Sequence, residues 1–282
     1  MSIITEKEDA VERLQRLVLA SEDWAKGYKK NKDAFAKLIK LETKIERLLR
    51  AYFRDLAKER LGKYINWSNY AKENVKAYRV DVTVDVEEID DVEYDQLLNV
   101  IHDPLILSIA LGAETAQAQY NIDVGLNQYS SEVLQAAESY TAKLVKGIND
   151  TTREKIKQSI STSLHLGEDT QAASERLSKI VNDPRRAALI ARTETVRSYT
   201  TGITTFGKKS GATQKVWELS SNPCEICQSN YDNTPNSDGV IDIDEEFNDG
   251  DPPAHPNCRC GISLIHDYSD PEDNAGLGDA SE

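Results

Sequence analysis

The chain has 282 residues, 29% of them charged and 39% hydrophobic, and a formal net charge of −14. This is long enough to bury one large core or two smaller ones. It shows no apolar run of membrane-spanning length, and its start, MSIITEKEDAVERLQ, lacks a signal-peptide pattern; the expectation is a soluble protein with reduced thiols and no membrane role.

The charge is uneven. From Glu218 to Glu282, 16 acidic residues face one basic residue, Arg259, while the preceding part is nearly neutral. Such a C-terminal part is a poor grip for a phosphate backbone.

Up to about residue 70 the sequence reads as helix. Leu38, Leu41, Ile45, Leu48, Tyr52 and Leu56 recur at steps of three and four, which puts them on one face. Between Lys26 and Lys63, 13 Lys or Arg stand against 5 Asp or Glu, mostly off that stripe. A solvated basic face is the plain reading; a contact surface for DNA or an acidic protein is the sharper one. In YRVDVTVDVEEI, Val80, Val82, Val84 and Val86 alternate with polar residues, as in a half-buried strand or an extended linker. Asp90 to Tyr120 is helical again, with Pro104 expected to interrupt it.

After the loop NIDVGLNQYSS, a helix carrying Val133, Ala137, Tyr140 and Leu144 is expected to stop near Gly147. NDTTREKIKQSISTSLHLGED then starts afresh with a Thr cap and an early Glu. EDTQAASERLSKIVND makes a short third helix. The fourth has Asp183 as N-cap, Pro184 at its first position, and Leu189, Thr193, Val196, Thr200 and Ile203 facing inward, with a stop at Gly211. Loops this short make the helices antiparallel neighbours.

Beyond Gly211, TQKVWELS, GVIDI and GISLI read as short strands between turns. They hold too little apolar sequence for a core of their own, so a metal or a neighbouring domain is needed. The fold class is mainly α with a small β-rich C-terminal module (α+β). The expected division is an N-terminal helical region 1–124, a helical core 125–212, a Cys/His module 213–266 and an acidic disordered tail 267–282.

All four cysteines fall in that module, as Cys224-x-x-Cys227 and His255-x-x-Cys258-x-Cys260. A two-residue gap in a tight turn lets two thiolates reach one tetrahedral zinc ion, and the second cluster supplies the remaining ligands. Five residues compete for four positions: the set includes Cys224, Cys227 and Cys258, with the fourth ligand open between His255 and Cys260. The alternatives are a pair of disulfides, a redox-active CEIC, or free thiols. His266 is a weaker metal candidate. No phosphate loop, dinucleotide fingerprint, nucleophile elbow or HExxH helix occurs, so no enzyme is expected. Arg259, the lone cation of its region, is expected to neutralise thiolates or nearby carboxylates.

Taken together, LVKGINDTTREKIKQSI, DPRRAALIARTETVRSYTTG, Trp217, CEIC, Gly239, Phe247 and DPPAHPNCRC, in this order, resemble the phage head-morphogenesis family of minor head proteins similar to protein F of phage Mu. The likeness covers roughly residues 125 to 265, and ARTE and HPNCRC are its most specific pieces. The family's motif falls on Arg192, Thr193, Glu194, Trp217, Cys224, Cys227, His255, Pro256, Asn257, Cys258, Arg259 and Cys260. The resemblance implies a minor structural protein of a tailed phage, acting in capsid assembly near the portal. Its expected partners are the portal protein, capsid or scaffold proteins and, through packaging or delivery, phage DNA. Its expected place is the head interior of the virion, and the host cytoplasm during assembly. Arg192 and Glu194 are read as helix residues that could pin the zinc module or its connecting loop by a salt bridge. The alternative is a zinc-containing nucleic-acid-binding protein using the basic 26–63 helix.

Overall fold

Apolar stripes at helical spacing predict long helices, and long helices form. A computed structural model describes residues 24–76 and 91–267. The helices are α1 (Lys26–Lys30), α2 (Lys32–Asp55), α3 (Trp67–Lys76), α4 (Asp91–Tyr120), α5 (Ser131–His165), α6 (Thr170–Val181) and α7 (Pro184–Ser210). Strand β1 (Gln214–Glu218), the short helix α8 (Glu225–Asp232), β2 (Val240–Asp242) and β3 (Gly261–Ile265) follow. The chain is thus mostly helical with a small antiparallel sheet near its C-terminal end. The expected strand at Val80–Val86 and the tail beyond Asp267 lie outside the described residues.

Two expected breaks do not occur. α4 runs through Pro104, because Leu97, Ile101 and Leu105 on its inner stripe are at most 1% exposed. Each such side chain contributes about 1.5–3 kcal/mol on burial, enough together to offset the roughly 3 kcal/mol a mid-helix proline costs. α5 likewise runs through Gly147, a cost of only about 1 kcal/mol relative to Ala, with Val145, Ile148 and Ile156 buried around it. Thr151 and Thr152, expected to cap a new helix, instead donate their hydroxyls back to the Gly147 and Ile148 carbonyls.

A third correction concerns membrane length. Val92–Tyr120 is long and apolar enough to span a bilayer by length and composition. Its stripe is buried within the protein, as in the core helix of a globular domain.

The Asp183 cap and the Gly211 stop form as expected, and Asp169 adds a cap that was not expected. Asp169 accepts the Ala172 N–H at the start of α6, Asp183 accepts the Arg185 N–H at the start of α7, and α7 ends at Gly211 with φ +77°.

The chain divides into two compact units. One comprises Lys40–Ser108 and Leu134–Thr195. It is helical, and its core includes Leu49, Phe53, Leu97, Ile101, Ile156 and Leu177. Arg186 lies buried in it, with its guanidinium 4.4 Å from the centre of the Phe53 ring. From there it donates to the Ile148 carbonyl and to the hydroxyls of Thr151 and Thr152. Glu93, fully buried, is held by Arg60 at 2.7 Å and by the Tyr52 hydroxyl at 3.2 Å.

Among the described residues, the other unit comprises 24–39, Ile109–Val133 and 196–267. In it the sheet runs β2-β1-β3, all antiparallel, with Val216 opposite Val240 and Trp217 opposite Ile262. The Leu264 N–H donates to the Tyr120 hydroxyl at 2.7 Å, which ties β3 to the end of α4.

Candidate metal centre

Each cysteine pair is positioned by a regular element. Cys224 is the N-cap residue of α8 and Cys227 lies in its first turn, so one helical start aims both sulfurs to one side. Cys258 and Cys260 lead straight into β3, whose register against β1 places them beside Trp217. Trp217, Cys227, Ile241, Phe247, Cys258 and Cys260 form one buried cluster, with Trp217 and Phe247 edge to face at 5.0 Å. The loop before His255 is held to α8 by a reciprocal pair: Asn230 Nδ2 donates to Asp249 Oδ2, and the Asp249 N–H donates to Asn230 Oδ1. A buried lysine, Lys215, meets Asp251 at 2.7 Å on the same loop. Neither pair was visible from sequence, because an amide–carboxylate pair 19 residues apart and an ammonium–carboxylate pair 36 residues apart follow no spacing rule.

The candidate ligands converge. His255 Nε2 lies 3.1 Å from the sulfurs of both Cys224 and Cys227, and the Cys227 and Cys258 sulfurs are 3.5 Å apart. Two triads result, Cys224–Cys227–His255 and Cys227–Cys258–Cys260, and Cys227 belongs to both. His266 stands apart, with Nε2 on Ser210 Oγ at 2.8 Å and its ring beside Tyr120 and Phe206.

The donor chemistry fits a thiophilic cation. The Pro256 carbonyl can only accept, so the 2.8 Å contact makes His255 Nδ1 the donor and leaves the Nε2 lone pair facing the sulfurs. That is how the ring of a metal-ligating histidine is oriented. Tetrahedral zinc with bonds of about 2.3 Å to sulfur separates its sulfurs by roughly 3.8 Å, so the ligands need to spread by only a few tenths of an ångström.

Electrostatics point the same way. Hydrogen bonds from Cys227 and then Cys258, together with the Ser220 N–H at 3.4 Å, hold the Cys260 thiol well below its usual range. Cys227 is pushed up, because it donates to Cys258 and Cys260 and is buried beside their charge. Crowded thiols of this kind give up the remaining protons when a cation takes up the charge. The cluster of Cys224, Cys227, His255, Cys258 and Cys260 could therefore hold a metal ion such as zinc.

The remaining motif residues sit nearby or in the helical unit. Arg259 is 7% exposed, with its guanidinium stacked 3.9 Å from the centre of the Trp24 ring. Arg192 reaches Glu42 on α2 at 3.5 Å, and Glu194 accepts the Tyr140 hydroxyl of α5. Both contacts tie α7 to neighbouring helices. Thr193 bonds back to the Leu189 carbonyl within α7.

Comparison with known proteins agrees with this geometry. Neither the curated proteins nor the solved structures give a match. Residues 154–263 match the family model described as Phage Mu protein F like protein, a narrower span than the likeness from residue 125 suggested. The span takes in Arg192, Trp217 and all five Cys/His ligand candidates, and over these residues the chain is similar to the phage Mu protein F-like family.

Proposed function

We propose that this chain is a minor head protein of a tailed phage, acting in capsid assembly at or near the portal and residing in the head interior. The observation that carries the reading is the family match over 154–263 with CxxC and HPNCRC complete and brought together in space. The role is structural: zinc, held by four of Cys224, Cys227, His255, Cys258 and Cys260, staples a module whose own core is a handful of residues. Trp217 fills that core, and the module at 213–266 is the part of the chain offered to portal, capsid or scaffold proteins. Bound zinc would supply the folding free energy and compensate thiolate charge, while α8 and β3 orient the sulfurs and Pro256 orients the imidazole.

The test is quantitative mass spectrometry on purified, nuclease-treated particles of the phage encoding the chain, and on its assembly intermediates. A few copies relative to the major capsid protein is the expected result. Presence only in intermediates would make it a transient assembly factor, and absence from both would overturn the reading.

A second reading has its own observation. Lys37, Lys40, Lys44 and Arg47 are exposed along α2 and form no ion pair among the described residues. A row of free cations on one helix suits a polyanion such as packaged DNA. Four phosphate contacts give a slope of about −3.6 for log affinity against log salt. Affinity unchanged on replacing all four with Gln would dismiss this use of the helix.

A further inference from the structure

The segment just before α1 and α1 itself, residues 24–30, lie across the peptide that joins Cys258 to Cys260. The Ala25 N–H donates to the Arg259 carbonyl at 3.0 Å, and the Tyr28 hydroxyl donates to the Cys260 carbonyl at 3.2 Å. The Gly27 N–H donates to Glu218 Oε2 at 3.0 Å, at the end of β1. The Trp24 indole stacks against the Arg259 guanidinium, and Trp24, Ala25 and Tyr28 are at most 5% exposed. The fit is close from below as well: a Cβ on Gly261 would come within 2.9 Å of the Tyr28 ring. The segment also helps to wall a cavity of about 20 Å³, whose lining includes Glu218, Tyr199 and Thr115, with room for one water.

The Trp24, Ala25 and Tyr28 contacts depend on the path of the backbone through Arg259 to Gly261, while Gly27 ties the segment to the end of β1. That path runs between two of the residues proposed as metal ligands. We infer that residues 24–30 are a strap whose seat exists only when the Cys258–Cys260 turn is held by metal, so that zinc binding and docking of the N-terminal segment are one coupled equilibrium. The inference rests on the metal reading proposed above. Coupling is reciprocal: the factor by which zinc tightens the strap is the factor by which the strap tightens zinc. Neighbours that orient ligands in this way typically change metal affinity by about 10–100-fold.

The experiment uses the full chain, zinc-loaded or stripped with a chelator, with zinc content measured in both forms. Limited trypsin digestion is followed by mass spectrometry at Lys26, Lys29 and Lys30, with Lys157 on α5 as an internal reference. The expected result is cleavage at the three strap lysines at least tenfold faster in the stripped protein, with Lys157 changing little. In the other direction, Trp24→Ala and the milder Tyr28→Phe should each weaken zinc affinity, about tenfold for the first, in competition against a chromophoric chelator. Equal strap cleavage in two forms of proven different zinc content, or wild-type zinc affinity in both variants, would overturn the coupling while leaving the metal site standing. A chain that takes up no zinc at all would instead overturn the metal reading itself.

Discussion

Gly202 on α7 faces the main chain of α4 so closely that a single methyl group cannot be added without moving a helix. A Cβ at position 202 would lie 1.9 Å from the Ile109 carbonyl oxygen and 2.8 Å from the Ala113 nitrogen. Contacts below 3.0 Å do not occur for real Cβ atoms, so the main chain at Ile109 must retreat by at least 1.1 Å. The same approach repeats at Gly112, whose Cβ would lie 2.0 Å from the Tyr199 oxygen. Neither obstacle is a side chain that can swing aside. A gap of about 1 Å forfeits up to roughly half of each dispersion contact along the seam, and overpacking of this kind costs about 1–3 kcal/mol or more. Against this, Ala gains about 1 kcal/mol over Gly in helix propensity. The net expectation for Gly202→Ala is a loss of about 2 kcal/mol, or about 4–8 °C in melting temperature. Gly147→Ala on α5 is the control, since nothing lies within 4 Å of its added Cβ and propensity alone should act there. That variant should gain about 0.5–1 kcal/mol. Far-UV circular dichroism in urea reads both. A Gly202→Ala protein at least as stable as the parent, with an unchanged m-value, would refute the close-packing argument.

Three further outcomes are expected. Arg186→Met should lower the urea midpoint by the equivalent of about 1–3 kcal/mol, and Arg186→Lys should not restore it, because one ammonium cannot both stack on Phe53 and serve a carbonyl and two hydroxyls; parental stability in the Lys variant would contradict this. The Arg176 hydrogen bonds hold the Glu168 carboxyl down at about 2, so the stability this pair adds is present above about pH 4.5 and lost as pH falls toward 2. The gap in urea midpoint between parent and Glu168→Gln should therefore close on acidification, and a gap independent of pH would be the contrary result. Cys227 belongs to both triads, whereas His255 and Cys260 each belong to one, so Cys227→Ser should abolish zinc binding while His255→Ala and Cys260→Ser weaken it; full zinc content in Cys227→Ser by atomic emission would count against the site.

What could be read from sequence was what depends on neighbours along the chain. Cys224 and Cys227 share a helical turn, Asp183 and Pro184 start α7, and the strand around Trp217 alternates in burial, all consequences of spacing within a few residues. The helix breaks were misread because Thr151 and Thr152 can either cap a helix or bond back within one, and Pro104 is tolerated only where burial nearby outweighs it. Residues joined through space were beyond reach. Nothing local marks Trp24 as the partner of Arg259, or Arg192 as the partner of Glu42, 150 residues away.

The strap across the Cys258–Cys260 peptide also sets a timetable for synthesis. Tyr28 and Cys260 are 232 residues apart, so at roughly 5–20 residues per second Tyr28 emerges some 10–50 s before its partner exists. The unit made of Lys40–Ser108 and Leu134–Thr195 has its last residue well before then. It can close on the ribosome, while Trp24, Ala25 and Tyr28 wait with their apolar faces uncovered. Completion of β3 is then the closing event of folding, and a chain released short of Cys258 would leave residues 24–30 with no seat, a ready signal for quality-control proteases.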